Sequence, residues 1–329
     1  MSSGLASRTD PVVVALAFDS SYVAPASTLI RSCLRRHDGA ELRFEVIHDD
    51  DVPDDHLRRL EGMCLEHGAS IRMHRIDPRL VGGLPLIDRF GPVVWSRLFL
   101  PEILSDVTRV LYLDCDVLVL NRLDPLWEVE LGPSVMAAAA NVVEPAAREH
   151  VARIGVHYPG GLFNSGVMLF QLDRMRCEGS TNQLVGFALD YGEKLLWPDQ
   201  DALNVVFNGR WHPLHPRWNA QNSLWSWHDW AIDVFGRAQV EEAVRDPAIR
   251  HFEGPSVAKP WHYLCPVPHR DLYLQTLAET PWANEPLQDR TMSTRLIARL
   301  PRRSRLDAYR RLLRARSTLE ARFRVARRG

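Results

Sequence analysis

Asp114 and Asp116 stand in the stretch RVLYLDCDVLVLNRLDPLW, residues 109–127, in which nearly every other position from Val110 to Leu120 is apolar. Such a run reads as a strand buried on both faces of a parallel sheet. Residues two apart on a strand project to the same side, so the two carboxylates would lie together. Like charges that close repel, and burial makes each costlier, unless a cation stands between them or one is protonated. A divalent metal meets that need: hard oxygen ligands suit Mn2+ or Mg2+, whose remaining positions substrate phosphates commonly fill. The alternative is that one aspartate caps the following turn and the other pairs with an arginine such as Arg109 or Arg122.

Other stretches carry residues of equally particular chemistry. Asp19 ends the apolar run PVVVALAF, where it serves either a ligand or the turn through Ser20 and Ser21. Arg97 lies seventeen residues before Asp114 in the apolar segment WSRLFLPEIL, and a guanidinium fork fits a diphosphate or a carboxylate network. Asn164 in FNSG and Asp199, Gln200 and Asp201 in PDQD offer the directional donors and acceptors that vicinal hydroxyls require. FNSG also reads as a tight turn and PDQD as the start of a helix. His251 follows a strand-like segment and is either a metal ligand or a structural histidine.

These side chains need a frame. Residues 11–19, 43–50 and 70–76 read as strands, and Ala26–Arg36 and Pro53–His67 as the helices between them, the second ended by Gly68. Strand–helix alternation predicts an open α/β sheet of Rossmann-like type, mixed but mainly parallel, whose ligands sit outside the carboxyl ends of its strands. Asp19 and Asp114 both fall where their strands run out. With 46% hydrophobic residues in 329, the chain buries a substantial core. Five cysteines, never in a CxxC pair, predict neither a disulfide framework nor a cysteine zinc site. No apolar run reaches the roughly 18 residues of a membrane span, and the start lacks a signal peptide's hydrophobic core, so a cytoplasmic protein is expected.

The net charge of -1 conceals an asymmetry: residues 301–329 hold eleven arginines against Asp307 and Glu320. Ala308, Leu312, Ala315, Leu319 and Phe323 recur at helical spacing, predicting a basic helix with a narrow apolar stripe. It is either a solvated terminus or an anchor on an anionic membrane surface. Nucleic acid is not expected as a partner, because no binding module or interleaved stacking aromatics accompany the tail. The tryptophan-rich stretches 218–230 and 260–269 are read either as core or as sugar-stacking subsites. The expected organisation is a flexible N-terminus at 1–10, a catalytic domain at 11–286 and a basic helical tail at 287–329.

Five segments, in order, resemble glycosyltransferase family 8, the retaining sugar-nucleotide transferases that include bacterial lipopolysaccharide galactosyl- and glucosyltransferases and glycogenin. They are VVALAFDSSYVAP, WSRLFLPEIL with VLYLDCDVLVL, LFNSGVMLFQL, WPDQDALN and HFEGPSVAKPWH, and the likeness covers roughly residues 11–270. It implies a single GT-A nucleotide-sugar domain that moves galactose or glucose from a UDP-hexose to a glycan or glycolipid acceptor, with Mn2+ (or Mg2+) as cofactor; the basic tail would place it at the inner face of the cell membrane. By the same resemblance Asp114, Asp116 and His251 hold the metal, and Asp19 and Ser21 meet the nucleoside. Arg97 joins the diphosphate or the donor network, Asn164, Asp199 and Asp201 line the donor sugar, and Gly254 and Lys259 form the loop that receives the leaving diphosphate. Ser21 stands where some members have Asn, and GPSVAKPW is two residues longer between glycine and lysine than the bacterial galactosyltransferase pattern. Gln200 occupies the place beneath the anomeric carbon, and amides are poor nucleophiles. Attack by the acceptor on the face the diphosphate leaves is therefore expected, with catalysis shared among Gln200, Asp199, Arg97 and Lys259. Two rivals are a haloacid-dehalogenase-like phosphatase, whose DxDx[T/V] motif this chain breaks at Leu118, and a non-enzymatic sugar-nucleotide binding protein.

Overall fold

A computed structural model describes residues 10–85 and 91–326, without the side chains of 193, 302 and 317–326. The expected flexible N-terminus thus lies, but for residue 10, outside the described residues. Among the described residues nine strands form: β1 Val12–Phe18, β2 Leu42–His48, β3 Ser70–Arg75, β4 Arg109–Leu113, β5 Val117–Val119, β6 Met136–Ala140, β7 Phe163–Gln171, β8 Trp211–Pro213 and β9 Ile249–His251. Seven of them make one sheet in the order β3-β2-β1-β4-β7-β6-β8, and β5 pairs with β9 in a second. β3, β2, β1 and β4 run parallel, β7 is antiparallel to β4 and β6, and β8 is parallel to β6. This is the mixed, mainly parallel α/β architecture the alternating pattern predicts.

The connection out of β1 goes to β2 on one side, while β4 enters on the other. The strand order therefore reverses between β1 and β4, and that reversal opens a crevice at their carboxyl ends. Asp19 follows β1 directly and Asp114 follows β4. The helices Val23–Leu34 and Asp54–Glu66 fall close to the predicted spans. Gly68 takes φ +76°, the left-handed turn that ends the second helix and that a side chain would oppose.

One expectation is corrected. The apolar run 110–120 is not one strand: β4 stops at Leu113, residues 114–116 turn with Val117 N donating to Asp114 O at 3.2 Å, and β5 departs to another sheet. A strand interior has no place for two ionised carboxylates, and aspartate is among the residues strands exclude. The carboxylates come together through that turn, not through strand periodicity.

The chain forms two compact units: one runs to His251 and includes Thr276–Ala283, the other comprises Phe252–Gln275 and the chain from Asn284 onward. In the second unit the stretch expected as a basic helical tail, 287–329, holds two helices among its described residues, Met292–Ile297 and Arg302–Ala326. Tyr309 is buried with Leu264 and Ile297, and Ala308 and Leu312 pack on them, so the first part of the apolar stripe covers the protein itself. Tyr309 Oη lies 3.1 Å from His262 Nε2, and Arg316 pairs with Asp289 at 3.4 Å. Among the described residues no helix is long and apolar enough to cross a membrane. In the first unit Trp225, Trp227 and Trp230 pack around Ala220, Leu224 and Val240, which favours the core reading for that stretch.

Candidate active site

The site is built at the β1/β4 reversal from the ends of β1, β4, β7 and β9 and from two helices. Asp114 N donates to Gly166 O at 2.8 Å, which ties the aspartate turn to β7. On the other side of the turn Val117 is the register partner of His251, so pairing of β5 with β9 delivers the imidazole to Asp116. His251 Nε2 lies 3.3 Å from Asp116 Oδ1. One ligand atom from each of Asp114, Asp116 and His251 falls within 4.8 Å of the others.

The proton positions around His251 follow from the backbone. Gly166 N–H can only donate, and it meets Asn164 Oδ1 at 3.0 Å, which fixes that amide. Asn219 Nδ2 donates to the same oxygen at 2.9 Å, so its own oxygen is the atom facing His251 Nδ1, also at 2.9 Å. Nδ1 is then the protonated nitrogen, and Nε2 presents a lone pair to a carboxylate oxygen. Two acceptors face one another there, and the arrangement needs either an imidazolium proton or a cation. Two carboxylates and an imidazole oriented by a second amide are a fitting donor set for Mn2+ or Mg2+. Asn219 was missed in the sequence: WNAQN carries no metal signal, and only the fold, through His251 N–H donating to Ala220 O at 3.0 Å, brings it beside the histidine. Replacing Asn219 by alanine is expected to weaken Mn2+ binding about 10–100-fold with the protein still folded. Titration of the Mn2+ electron-spin signal checks this, and unchanged affinity would mean the tautomer is set elsewhere.

Behind this cluster Arg97 is buried on the 3-10 helix Pro92–Phe99. Its Nη2 meets Asp114 Oδ1 at 2.8 Å and its Nη1 meets Asp199 Oδ2 at 3.0 Å, while the guanidinium covers the Tyr112 ring at 4.6 Å. Burial pulls the guanidinium pKa down, but the two aspartates more than offset it and hold it above its ordinary value. Burial raises the Asp114 carboxyl; Arg97 opposes that, Asp116 adds to it, and the net direction is upward. The arginines expected as alternative partners are elsewhere: Arg109 donates to Val129 O, and Arg122 pairs with Glu41 and Asp124. Cys115, buried between the aspartates, is held well above the ordinary thiol range by burial and by their charges, so it remains an inert thiol.

FNSG is part of β7, not a turn, and PDQD opens the helix Pro198–Val206 with proline at its start and aspartates in its first turn, where the helix dipole favours them. Ser165 Oγ donates to Asp199 Oδ2 at 3.0 Å. Ser165 N and Asn164 Nδ2 both donate to Gln200 Oε1, at 3.1 and 3.3 Å. The carbonyl end of Gln200 is thus occupied, which leaves its NH2 group as the end available to donate. Asp201 stands apart from this group. It is fully buried, and its Oδ2 accepts from Leu196 N, Trp197 N and the His150 ring, so it positions the helix and presents no surface to a sugar, contrary to the expectation for it. Asp19 Oδ1 accepts from Ser21 N at 2.9 Å and Ser21 Oγ at 2.6 Å. The turn reading therefore holds for that oxygen, while Oδ2 makes no hydrogen bond among the described residues. In the second unit Gly254 takes φ +102°, and Lys259 Nζ donates to Phe252 O at 3.0 Å.

A carboxylate–imidazole cluster at the switch point of a GT-A sheet, backed by an arginine and an amide-bearing helix, is the arrangement of a sugar-nucleotide transferase. Residues 13–265 match glycosyl transferase family 8; the chain belongs to that family and is a glycosyltransferase. It is 30% identical to general stress protein A of Bacillus subtilis over 80% of this chain and 92% of that one. Against the lipopolysaccharide 1,2-glucosyltransferase of Escherichia coli K12 the identity is 25%, over 84% and 80%. Among solved structures, the galactosyltransferase LgtC in complex with donor and acceptor sugar analogues superposes with a TM-score of 0.71, at 25% identity, over 82% of this chain and 96% of that one.

Proposed function

We propose that this glycosyltransferase moves a hexose, galactose or glucose, from a UDP-sugar to a glycan or lipopolysaccharide-type acceptor, with Mn2+ or Mg2+ at Asp114, Asp116 and His251 and with retention of the α configuration. The observation that carries the reading is the pair of facing acceptors, Asp116 Oδ1 and His251 Nε2, oriented by Asn219 at a nucleotide-binding switch point. A divalent ion held by these three residues would supply charge neutralisation for the departing diphosphate. Arg97 keeps Asp114 and Asp199 in register, and Asp19 Oδ2 is free to accept from a nucleobase N–H. The donor class has support from relatives named as lipopolysaccharide glucosyl- and galactosyltransferases. UDP release from a panel of UDP-sugars with Mn2+ tests the proposal. No release from any of them would refute it, and phosphate release from phosphomonoesters would favour the phosphatase rival.

Retention is the outcome expected of this family, and Gln200 bears on the route to it. Its carbonyl oxygen already accepts two hydrogen bonds, and its NH2 group has no lone pair free to attack the anomeric carbon, so a covalent glycosyl-enzyme is disfavoured. With retention and no such intermediate, the acceptor hydroxyl enters on the face the diphosphate leaves. Gln200→Ala is expected to slow transfer roughly 100-fold to 1000-fold, the scale of one lost active-site donor, without trapping a sugar on the protein. NMR of the product reads the outcome, and a β-linked product refutes retention.

We also propose that the remaining basic face of the tail helix docks on anionic membrane, at the inner face of the cell membrane. Arg303, Arg310, Arg311 and Arg314 are exposed, and each arginine near an anionic leaflet contributes about 1 kcal/mol. Because Tyr309 and Leu312 serve the core of their own unit, the informative variant is not a deletion of 301–329 but Arg303→Gln, Arg310→Gln, Arg311→Gln and Arg314→Gln combined. Sedimentation with phosphatidylserine vesicles at low salt is expected to fall by tenfold or more while UDP-sugar hydrolysis is unchanged. Equal sedimentation of both forms would leave the tail a solvated terminus.

A further inference from the structure

A cavity of about 520 Å3 in the first unit lies outside the site just described, lined by Arg148, His157, Tyr158 and Asp233 among others. Its volume is that of a small-ligand pocket. The Arg148 guanidinium covers the Tyr158 ring at 5.0 Å and the Trp230 ring at 5.5 Å. Those contacts fix its plane, but its side chain makes no hydrogen bond or ion pair among the described residues, and its Nε is buried without a partner. The Tyr158 hydroxyl is likewise buried and unpartnered. Asp233 also makes no ion pair or hydrogen bond among the described residues. A cation and a carboxylate that line one cavity without pairing offer a fork of donors and a pair of acceptors to a third party, beside an aromatic face. A polyol ring answers that combination, because vicinal hydroxyls both donate and accept while the C–H face of the ring packs on an aromatic. A simple anion does not, since the exposed Asp233 opposes it; an apolar ligand would leave the buried Arg148 Nε and Tyr158 hydroxyl unsatisfied.

The location agrees. Arg148 lies on the helix Pro145–Arg153, and the same helix carries His150, whose Nε2 is 2.8 Å from Asp201 Oδ2 in the helix of Asp199 and Gln200. The cavity wall is thus bolted to the element expected to hold the donor sugar. We propose that this cavity is a second carbohydrate subsite, which takes a hexose unit of the acceptor glycan beyond the unit that reacts. The inference rests on the reading of the protein as acting on a glycan acceptor, and its test is separable from that reading.

Saturation-transfer NMR of the full chain with lactose and with maltose, in the presence of Mn2+ and UDP to fill the donor site, is the direct measurement. Saturable binding of at least one disaccharide is expected, weakened at least tenfold in Arg148→Met and in Tyr158→Ala, with Asp233→Asn reducing it in the same direction. UDP-sugar hydrolysis is expected to be unchanged in all three variants, which also reports that they are folded. Wild-type binding of neither disaccharide, or variants that bind as the wild type does, would overturn the subsite. Hydrolysis lost together with binding in a folded variant would overturn it too, by placing the residue in the donor machinery. If no UDP-sugar is turned over by the wild type while mutation-sensitive disaccharide binding persists, the donor reading fails and the subsite stands.

Discussion

Asp114→Asn and Asp116→Asn are each expected to lower UDP-sugar turnover by about three orders of magnitude or more, the scale of losing the charge that stabilises a leaving diphosphate. Neither is expected to unfold the protein. The asparagine oxygen can still accept from Arg97 Nη2 and Tyr112 Oη, which lie 2.8 and 3.3 Å from Asp114 Oδ1, and Arg97 keeps its second partner, Asp199. The direction of the Asp114 shift gives the sign of the stability effect. Its folded pKa is raised above the ordinary carboxylate value, so its stabilising contribution is present at acid pH and is lost as pH rises through the folded value. At neutral pH the ionised group therefore costs stability in the metal-free protein, and the neutral isostere removes that cost. Mn2+ is expected to reverse the balance: by binding the native state it should raise the melting temperature of the wild type by mass action, an increment that both variants should lose. Thermal melts with Mn2+ and with EDTA measure this directly. Full activity in either variant, or wild-type activity undiminished in EDTA, would remove the metal from Asp114 and Asp116.

The frame around those residues was legible in the sequence because it rests on periodicity. The buried run of β1, the alternation of helices and strands, and Gly68 as a helix stop each follow from local physics, and the structure reproduces them within a few residues. The family resemblance brought Arg97, Asn164, Asp199 and Gln200 into one expectation, and the fold brings them into one network. Local rules failed where tertiary contacts decide. Apolar composition predicted one strand through 110–120, whereas the pairing of β5 with β9 and the cost of buried charge break it at the aspartates. Asp201 reads like Asp199 in sequence, yet two residues, about 200° around the helix, separate a residue facing Arg97 from one facing His150. Ala308 and Leu312 looked like a membrane-facing stripe because periodicity reports that a face is apolar and not what covers it.

Gly166→Ala and Gly186→Ala are the same chemical change, and they are expected to have opposite effects. Gly186 sits inside the helix Ser180–Tyr191, and a Cβ built there meets nothing within 4 Å. Alanine at that site restricts the unfolded chain and suits the helix, so a gain of about 0.5–1 kcal/mol with unchanged activity is expected. Gly166 lies on β7, where its carbonyl accepts from Asp114 N and its N–H fixes Asn164. A Cβ there would overlap Cε1 of His251, and would lie 2.9 Å from its Nδ1 and 3.0 Å from Asp114 Oδ2. His251 is in no position to retreat, since it is buried, paired in β9 and bonded to Asn219. The added methyl must displace the imidazole or the carboxylate, and either movement takes a ligand out of the metal cluster. Overpacking of this kind is expected to cost about 1–3 kcal/mol of stability, and turnover should fall on the order of 100-fold or more. The melting increment produced by Mn2+ separates the two effects: general destabilisation lowers both melts equally, while a displaced ligand abolishes their difference. If Gly166→Ala retains the wild-type Mn2+ increment and activity, the glycine is not what holds His251 against Asp114, and the geometry assigned to the metal cluster is wrong.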